Sequence, residues 1–76
     1  MSDNTADRYG LENILGQINH ADEKGYQYLV IRPLGDSEEF VRAIHDNRIE
    51  CELRDRGYIA NLIQEERKPP YLYISW

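Results

Sequence analysis

The sequence has little cysteine and no surplus of positive charge. Its one cysteine, Cys51, excludes an intrachain disulfide and a zinc site made from several cysteines, and it favours a cytoplasmic location. Acidic side chains number 14 and basic ones 9, so the net charge is −5. A chain with this charge lacks the basic face that binds phosphate groups, so we expect no direct contact with nucleic acid.

Long hydrophobic runs and catalytic motifs are also absent. No apolar segment approaches the roughly 20 residues of a membrane-spanning helix, and residues 1–7 are too polar for a signal peptide. We therefore expect no contact with a membrane. The sequence has no phosphate-binding loop, dinucleotide fingerprint, HExxH or GxSxG motif. These absences predict a protein that is not an enzyme and that has no cofactor and no metal site.

Three isolated side chains could carry chemistry, but each has a simpler structural interpretation. His20 lies on the polar side of the first predicted helix, and His45 lies near the end of the second, where a positive charge stabilises the helix dipole. Cys51 fits a small buried hydrophobic position. The catalytic alternative is a nucleophile pair of Cys51 and His45, which alanine at both positions would test.

The 76 residues suit one small domain, in which residues 1–6 form a flexible tail. Asp7 can cap a following helix, and Gly25 can end it in the left-handed conformation. Between them, apolar residues at positions i, i+3, i+4 and i+7 predict an amphipathic helix. These residues are Leu11, Ile14, Leu15 and Ile18.

The next two predicted elements are a strand and a second helix. Tyr28–Ile31 is apolar without a break, which is typical of a central strand covered on both faces. Asp36, with Glu39 three positions later, resembles a capping box, so we expect a helix to begin here. The buried face of this helix consists of Phe40, Val41 and Ile44.

Residues 48–56 fit either a strand or a helix. The helical period fails at Asn47, a residue that often ends helices. Beyond it, apolar residues alternate with charged ones, and this period of two favours a half-buried strand. The apolar face of that strand would consist of Ile49, Cys51 and Leu53. The alternative is a short third helix that ends at Gly57.

Two further strands, at residues 58–64 and 71–76, complete the predicted fold. In the last one Leu72, Ile74 and Trp76 share a face, and we expect Trp76 to dock in the core. The predicted fold is an α+β two-layer sandwich of order α-β-α-β-β-β, with two helices on one face of a small, mostly antiparallel sheet. The alternative order is α-β-α-α-β-β, with three strands.

Tyrosine is the most informative residue type for function. Five of the six tyrosines lie in predicted strands: Tyr26, Tyr28, Tyr58, Tyr71 and Tyr73. One sheet face of a two-layer fold carries no helix, and Tyr71 and Tyr73 would lie there, opposite to the face of Trp76. The strand of Tyr58 could be phased either way. Because tyrosine is enriched at protein interfaces, these residues predict a partner-binding surface; the alternative is an ordinary half-exposed sheet.

Two other functions fit the sequence. The first is an acidic imitation of nucleic acid that blocks a basic groove in another protein. The acidic surface would consist of Asp22, Glu23, Asp36, Glu38 and Glu39. The second is an oligomeric protein that sequesters a small ligand in a pocket between subunits.

Residues 57–59 read Gly-Tyr-Ile, and residues 71–76 read Tyr-Leu-Tyr-Ile-Ser-Trp. This pattern resembles the last part of small phage-encoded accessory proteins, which often have a Gly-Tyr-x-hydrophobic strand followed by a Tyr-x-Ile-Ser-Trp strand. The resemblance carries no catalytic signature. It implies a phage-encoded inhibitor in the host cytoplasm that binds a host or defence protein, as anti-CRISPR and other anti-defence proteins do. A homodimer formed through the tyrosine face is the other association that we consider.

Overall fold

The computed structural model describes residues 9–76, so the predicted tail at residues 1–6 and the predicted cap at Asp7 lie outside the described residues. In this part of the chain the fold is α+β, as predicted. Its order is α-β-α-α-β-β, which was the alternative to the leading prediction. The elements are α1 (Leu11–Glu23), β1 (Tyr28–Ile31), α2 (Ser37–Asp46), α3 (Ile49–Asp55), β2 (Ile59–Ile63) and β3 (Tyr71–Ser75).

The described strands form one antiparallel sheet in the order β1-β3-β2, so β3 is central and β1 and β2 are its edges. The prediction that Tyr28–Ile31 is a central strand is therefore wrong. One face of β1 packs beneath α1, while on the other face Tyr28 remains 51% exposed. An unbroken apolar run here marks a strand with one buried face and one apolar surface face, not a strand covered on both faces.

The strand predicted at residues 48–56 is also wrong, because these residues form α3. Ile49 and Leu53, four positions apart, are both 0% exposed, as expected for one buried stripe of a helix. Cys51 lies between them on the opposite side and is exposed, so its predicted buried position is wrong as well. Two Glu–Arg pairs at i, i+4 also stabilise α3, with glutamate in the favourable N-terminal position.

The boundary between α2 and α3 lies where the helical period fails. α2 ends at Asp46, and Asn47 follows as its C-cap. Arg48 then adopts the left-handed conformation with a φ of 54°, which redirects the chain before α3 begins at Ile49. At the other end of α2, Asp36 Oδ1 accepts a hydrogen bond from the backbone N–H of Glu38 at 3.0 Å, so Asp36 caps the helix where its start was predicted. Within the described residues Glu39 makes no bond back to the N–H of Asp36, so the reciprocal half of the predicted capping box does not form.

Two glycines end helices in the left-handed conformation. After α1, Gly25 has a φ of 91°, and the N–H of Tyr26 donates to the carbonyl oxygen of Ala21 at 3.0 Å. After α3, Gly57 has a φ of 93° and the corresponding backbone bond is also 3.0 Å. This arrangement is a Schellman motif, which satisfies free carbonyl groups at the helix end and reverses the chain into the following strand.

Replacing Gly57 with alanine should lower the free energy of unfolding by about 1–2 kcal/mol, because a Cβ atom is strained in the left-handed conformation. An added Cβ meets no atom within 4 Å, so the loss arises from the backbone alone. Gly16→Ala is the matched control, since its Cβ also meets nothing within 4 Å but its position is inside α1. It should raise the stability by up to ~1 kcal/mol. Urea unfolding measures the free energy of unfolding of both variants. Changes of the same sign would contradict the left-handed conformation assigned to Gly57.

The two faces of β3 have the predicted parity. Leu72 and Ile74 are 0% exposed and face the helices. Trp76 is half-buried on the same side, and its indole Nε1 donates to Asp22 Oδ1 at 3.2 Å. Its ring meets that of Tyr58 edge to face, with centroids 6.2 Å apart. Trp76 therefore connects β3 to the C-terminal end of α1.

Candidate functional site

The side of the sheet away from the helices is the candidate functional site, and within residues 9–76 no helix covers it. Residues directly opposite one another in an antiparallel pair point to the same side, so the register defines this surface. We call it the open face. Its members are Tyr28, Val30, Ile59, Asn61, Ile63, Tyr71, Tyr73 and Ser75.

Three tyrosines form a continuous cluster at the β1 side of the open face. The rings of Tyr28 and Tyr73, on neighbouring strands, stack with centroids 6.3 Å apart and planes 20° apart. Tyr26, just before β1, meets Tyr28 edge to face at 6.1 Å. Tyr26 and Tyr28 are both about half exposed, at 52% and 51%. Ring contacts of this kind hold large apolar surfaces in defined orientations while leaving them accessible.

A fourth tyrosine extends the cluster towards the other end of β1. Tyr71 lies beneath the guanidinium of Arg32, whose Cζ atom is 5.9 Å from the ring centroid. This distance is within the range of a cation–π interaction. The open face therefore carries a positive group at its margin, and none of its own members is acidic.

Tyr58 does not belong to this cluster. Its side chain is half-buried, packs against the hydrophobic core and contacts Trp76 on the helix side of the sheet. Its parity is that of Ala60, which is 0% exposed. The structure therefore brings together four of the five predicted tyrosines and places the fifth on the opposite side.

Three aliphatic residues of the open face were missed by the sequence analysis: Val30, Ile59 and Ile63. Ile59 is 58% exposed, and Val30 and Ile63 are half-buried. For Ile59 and Ile63, the sequence signal was the alternation of β2, in which Ala60 and Leu62 face the helices. That alternation could not be phased from the sequence alone, because apolar residues occupy both faces.

The acidic residues of the nucleic-acid hypothesis lie at the ends of two helices that are separated in the chain by β1. Asp22 and Glu23 lie at the end of α1, before β1, whereas the other three lie at the start of α2, after β1. Asp22 accepts a hydrogen bond from Trp76, and Asp36 caps α2. These two carboxylates therefore have structural partners.

The predicted pair of His45 and Cys51 lies together on the surface, whereas His20 lies elsewhere. His45 and Cys51 line the same shallow depression, with a volume of ≈ 250 Å³, but no hydrogen bond joins them in the described chain. His20 lies apart on α1, where it lines a different groove. Within residues 9–76 no group of three or more histidine, cysteine, aspartate or glutamate side chains could hold a metal ion.

Comparison of the chain with protein-family models, with curated protein sequences and with solved structures found no match. Among the described helices, none has the length and apolar character needed to cross a bilayer. The candidate site is thus defined by its geometry: an aromatic and aliphatic sheet surface with the guanidinium of Arg32 at its margin.

Proposed function

We propose that this chain is a non-enzymatic protein-binding protein and that its open face docks on a partner protein. The observation that carries the proposal is the tyrosine cluster, in which Tyr28 contacts both Tyr26 and Tyr73 at an uncovered sheet face. Interface cores are rich in tyrosine and poor in charged residues, as this face is. Each tyrosine combines a large apolar ring with a hydroxyl that can form a hydrogen bond at the rim.

The size of the open face supports a contact that extends beyond the sheet. Three strands of about five residues measure roughly 15 by 17 Å across. A standard interface buries about 800 Å² on each partner, which is more than this face offers. A partner therefore also reaches the flanking residues at the β1 side, where Tyr26 and Arg32 already extend the surface.

The narrower form of the proposal is that the chain is a phage-encoded inhibitor that occupies a host or defence protein. It rests on the resemblance of residues 57–59 and 71–76 to the last strands of such proteins, and it stays a prediction. Tyr71 and Tyr73 support this narrower proposal, because they belong both to residues 71–76, which carry the resemblance, and to the open face.

The test compares two double variants in affinity capture from a bacterial lysate, with mass spectrometry and then titration of the captured protein. Replacing Tyr28 and Tyr73 with serine removes both rings, and binding should weaken by at least about tenfold. Replacing the same two residues with phenylalanine keeps the rings, and binding should stay within about threefold of the unmodified chain.

Thermal unfolding of each variant checks that the fold is intact. The proposal fails if the serine variant retains the captured protein as well as the unmodified chain does. It also fails if nothing is retained above a blank matrix.

A further inference from the structure

The two edges of the sheet differ in how their backbone groups are satisfied. On β2, the carbonyl oxygen of Ala60 accepts from Arg54 Nη2 at 2.9 Å, and the N–H of Leu62 donates to Glu50 Oε2 at 2.9 Å. Both side chains belong to α3. Side chains of α3 therefore occupy the backbone positions at which another strand would pair with β2.

The edge formed by β1 has no such cover in the described residues. The N–H of Trp76 donates to the carbonyl oxygen of Gln27 at 3.1 Å, which sets the alternation of hydrogen bonds along the β1–β3 pair. Leu29 therefore directs its backbone groups towards β3. Tyr28 and Val30 direct theirs outwards, and within residues 9–76 no side chain bonds to them.

A groove runs along this free edge, between β1 and one side of α1. Its volume is ≈ 590 Å³. Most of its lining residues are exposed, so it is a surface channel and not an enclosed cavity. The lining residues are Asn13, Gly16, Gln17, His20, Ala21, Lys24, Tyr26, Tyr28, Leu29 and Val30.

The charge of the groove is opposite to that of the whole chain. None of its lining residues is acidic, although the chain has 14 acids and a net charge of −5. Lys24 lies at one end of the free edge and Arg32 just beyond the other, and no ion pair within residues 9–76 engages either of them. His20 also lines the groove, and its imidazole N–H can donate a hydrogen bond to a carboxylate.

We infer that the free edge of β1 binds an extended, acidic segment of the partner protein as an added strand. This inference deepens the proposed function, on which it rests. Backbone hydrogen bonds to Tyr28 and Val30 would supply affinity, and alternate side chains would supply specificity. On the helix side, acidic side chains meet Lys24 and His20. On the other side, apolar side chains continue the open face next to Tyr28.

A second copy of this chain fits the edge less well. Antiparallel pairing of two β1 strands opposes the beginning of one strand with the end of the other. It would bring Arg32 of each copy towards the Lys24 end of its partner, and like charges so placed repel. An acidic strand removes this repulsion.

The test uses a fluorescein-labelled peptide of about eight residues in which glutamate alternates with valine. Its control has lysine in place of every glutamate. In fluorescence anisotropy the glutamate peptide should bind at least about tenfold more tightly than the lysine peptide. It should also protect the amide protons of Tyr28 and Val30 from hydrogen exchange.

Val30→Pro removes one outward N–H and leaves every N–H of the β1–β3 ladder in place. Edge strands tolerate proline at such outward positions, so we expect the variant to fold. The proline variant should bind the glutamate peptide at least about tenfold more weakly than the unmodified chain. Val30→Thr keeps the N–H, and its affinity for this peptide should stay within about threefold. If the proline variant does not fold, Lys24→Glu replaces it and should reduce the preference for the glutamate peptide.

Equal affinity of the two peptides would overturn the inference. So would protection of the Tyr28 and Val30 amides that increases with protein concentration in the absence of peptide, because a second copy would then occupy the edge. If capture depends on the tyrosine rings but Val30→Pro still binds the captured protein, the edge inference fails and the proposed function stands.

Discussion

Replacing Leu53 with alanine should lower the free energy of unfolding by about 2–5 kcal/mol, whereas replacing Cys51 with alanine should change it by less than about 0.5 kcal/mol. Leu53 is 0% exposed and belongs to the core between α3 and the sheet, so truncation loses buried surface and leaves a cavity. Cys51, two residues earlier, is exposed. A domain of this size has few kcal/mol to lose, so Leu53→Ala brings it close to unfolding.

Urea unfolding followed by the fluorescence of Trp76, the one tryptophan of the chain, measures both variants. A lower midpoint with an unchanged slope would mean that stability alone has changed. The pair distinguishes the two structures considered for residues 48–56. A strand would bury Cys51 on the same face as Leu53, so a loss of about 1 kcal/mol or more for Cys51→Ala would contradict the helix α3.

Residues 48–56 show why local pattern did not decide this element. Ile49 and Leu53 are four positions apart, a spacing that suits one face of a strand as well as one face of a helix. Cys51 between them completed the period of two and favoured the strand. The spacing of the charged residues was the better signal, because each glutamate precedes an arginine by four positions.

Elements with several consistent local signals were predicted correctly. In α1, an apolar stripe at helical spacing is followed by a glycine that adopts the left-handed conformation. In β3, alternation and the position of Trp76 distinguished the buried face from the open face. These features depend on neighbours in the sequence, and local propensity agrees with the final fold.

Features that depend on distant residues were not predictable in the same way. Tyr9 is 4% exposed, packs edge to face on Phe40 and accepts a hydrogen bond from the N–H of Leu34, 25 positions away. The central position of β3 depends on which strands pair with it. The phase of β2, which places Tyr58 on the helix side, depends on α3 packing beneath it.

The candidate site likewise has one part that the sequence predicts and another that depends on distant residues. The tyrosines were visible in the sequence because their residue type is distinctive. The aliphatic part of the open face and the free edge of β1 appear only when the register and the strand order are known. An edge strand and a central strand can have the same apolar sequence, and only the presence of a neighbour separates them.

Replacing Glu50 and Arg54 together with alanine should lower the free energy of unfolding by about 2–3 kcal/mol, because both side chains bond to the edge of β2. Glu50 Oε2 accepts from the N–H of Leu62, and Arg54 Nη2 donates to the carbonyl oxygen of Ala60, each at 2.9 Å. Removing them leaves a half-buried backbone N–H without its acceptor. Water can take over part of the lost hydrogen bonding, because this edge is accessible at the Arg54 side chain, which is 56% exposed.

The matched control lies on the same helix and has the same spacing. Glu52 and Arg56 form an ion pair of 2.9 Å, and both side chains are about 40% exposed, at 41% and 43%. Neither bonds to β2, so replacing both with alanine should cost only about 0.3–0.5 kcal/mol. Equal losses from the two double variants would mean that the Glu50–Arg54 pair acts as an ordinary surface ion pair.

The Glu50/Arg54 variant also tests the assigned difference between the two edges. Without the two side chains, β2 presents outward backbone groups at Ala60 and Leu62, as β1 does at Tyr28 and Val30. The newly freed β2 edge can pair with another copy of the chain, so association of the variant with itself should increase with concentration in sedimentation velocity. The Glu52/Arg56 variant should sediment like the unmodified chain. Identical sedimentation of all three proteins would contradict a protective role for α3, and the free edge of β1 would then no longer be distinctive.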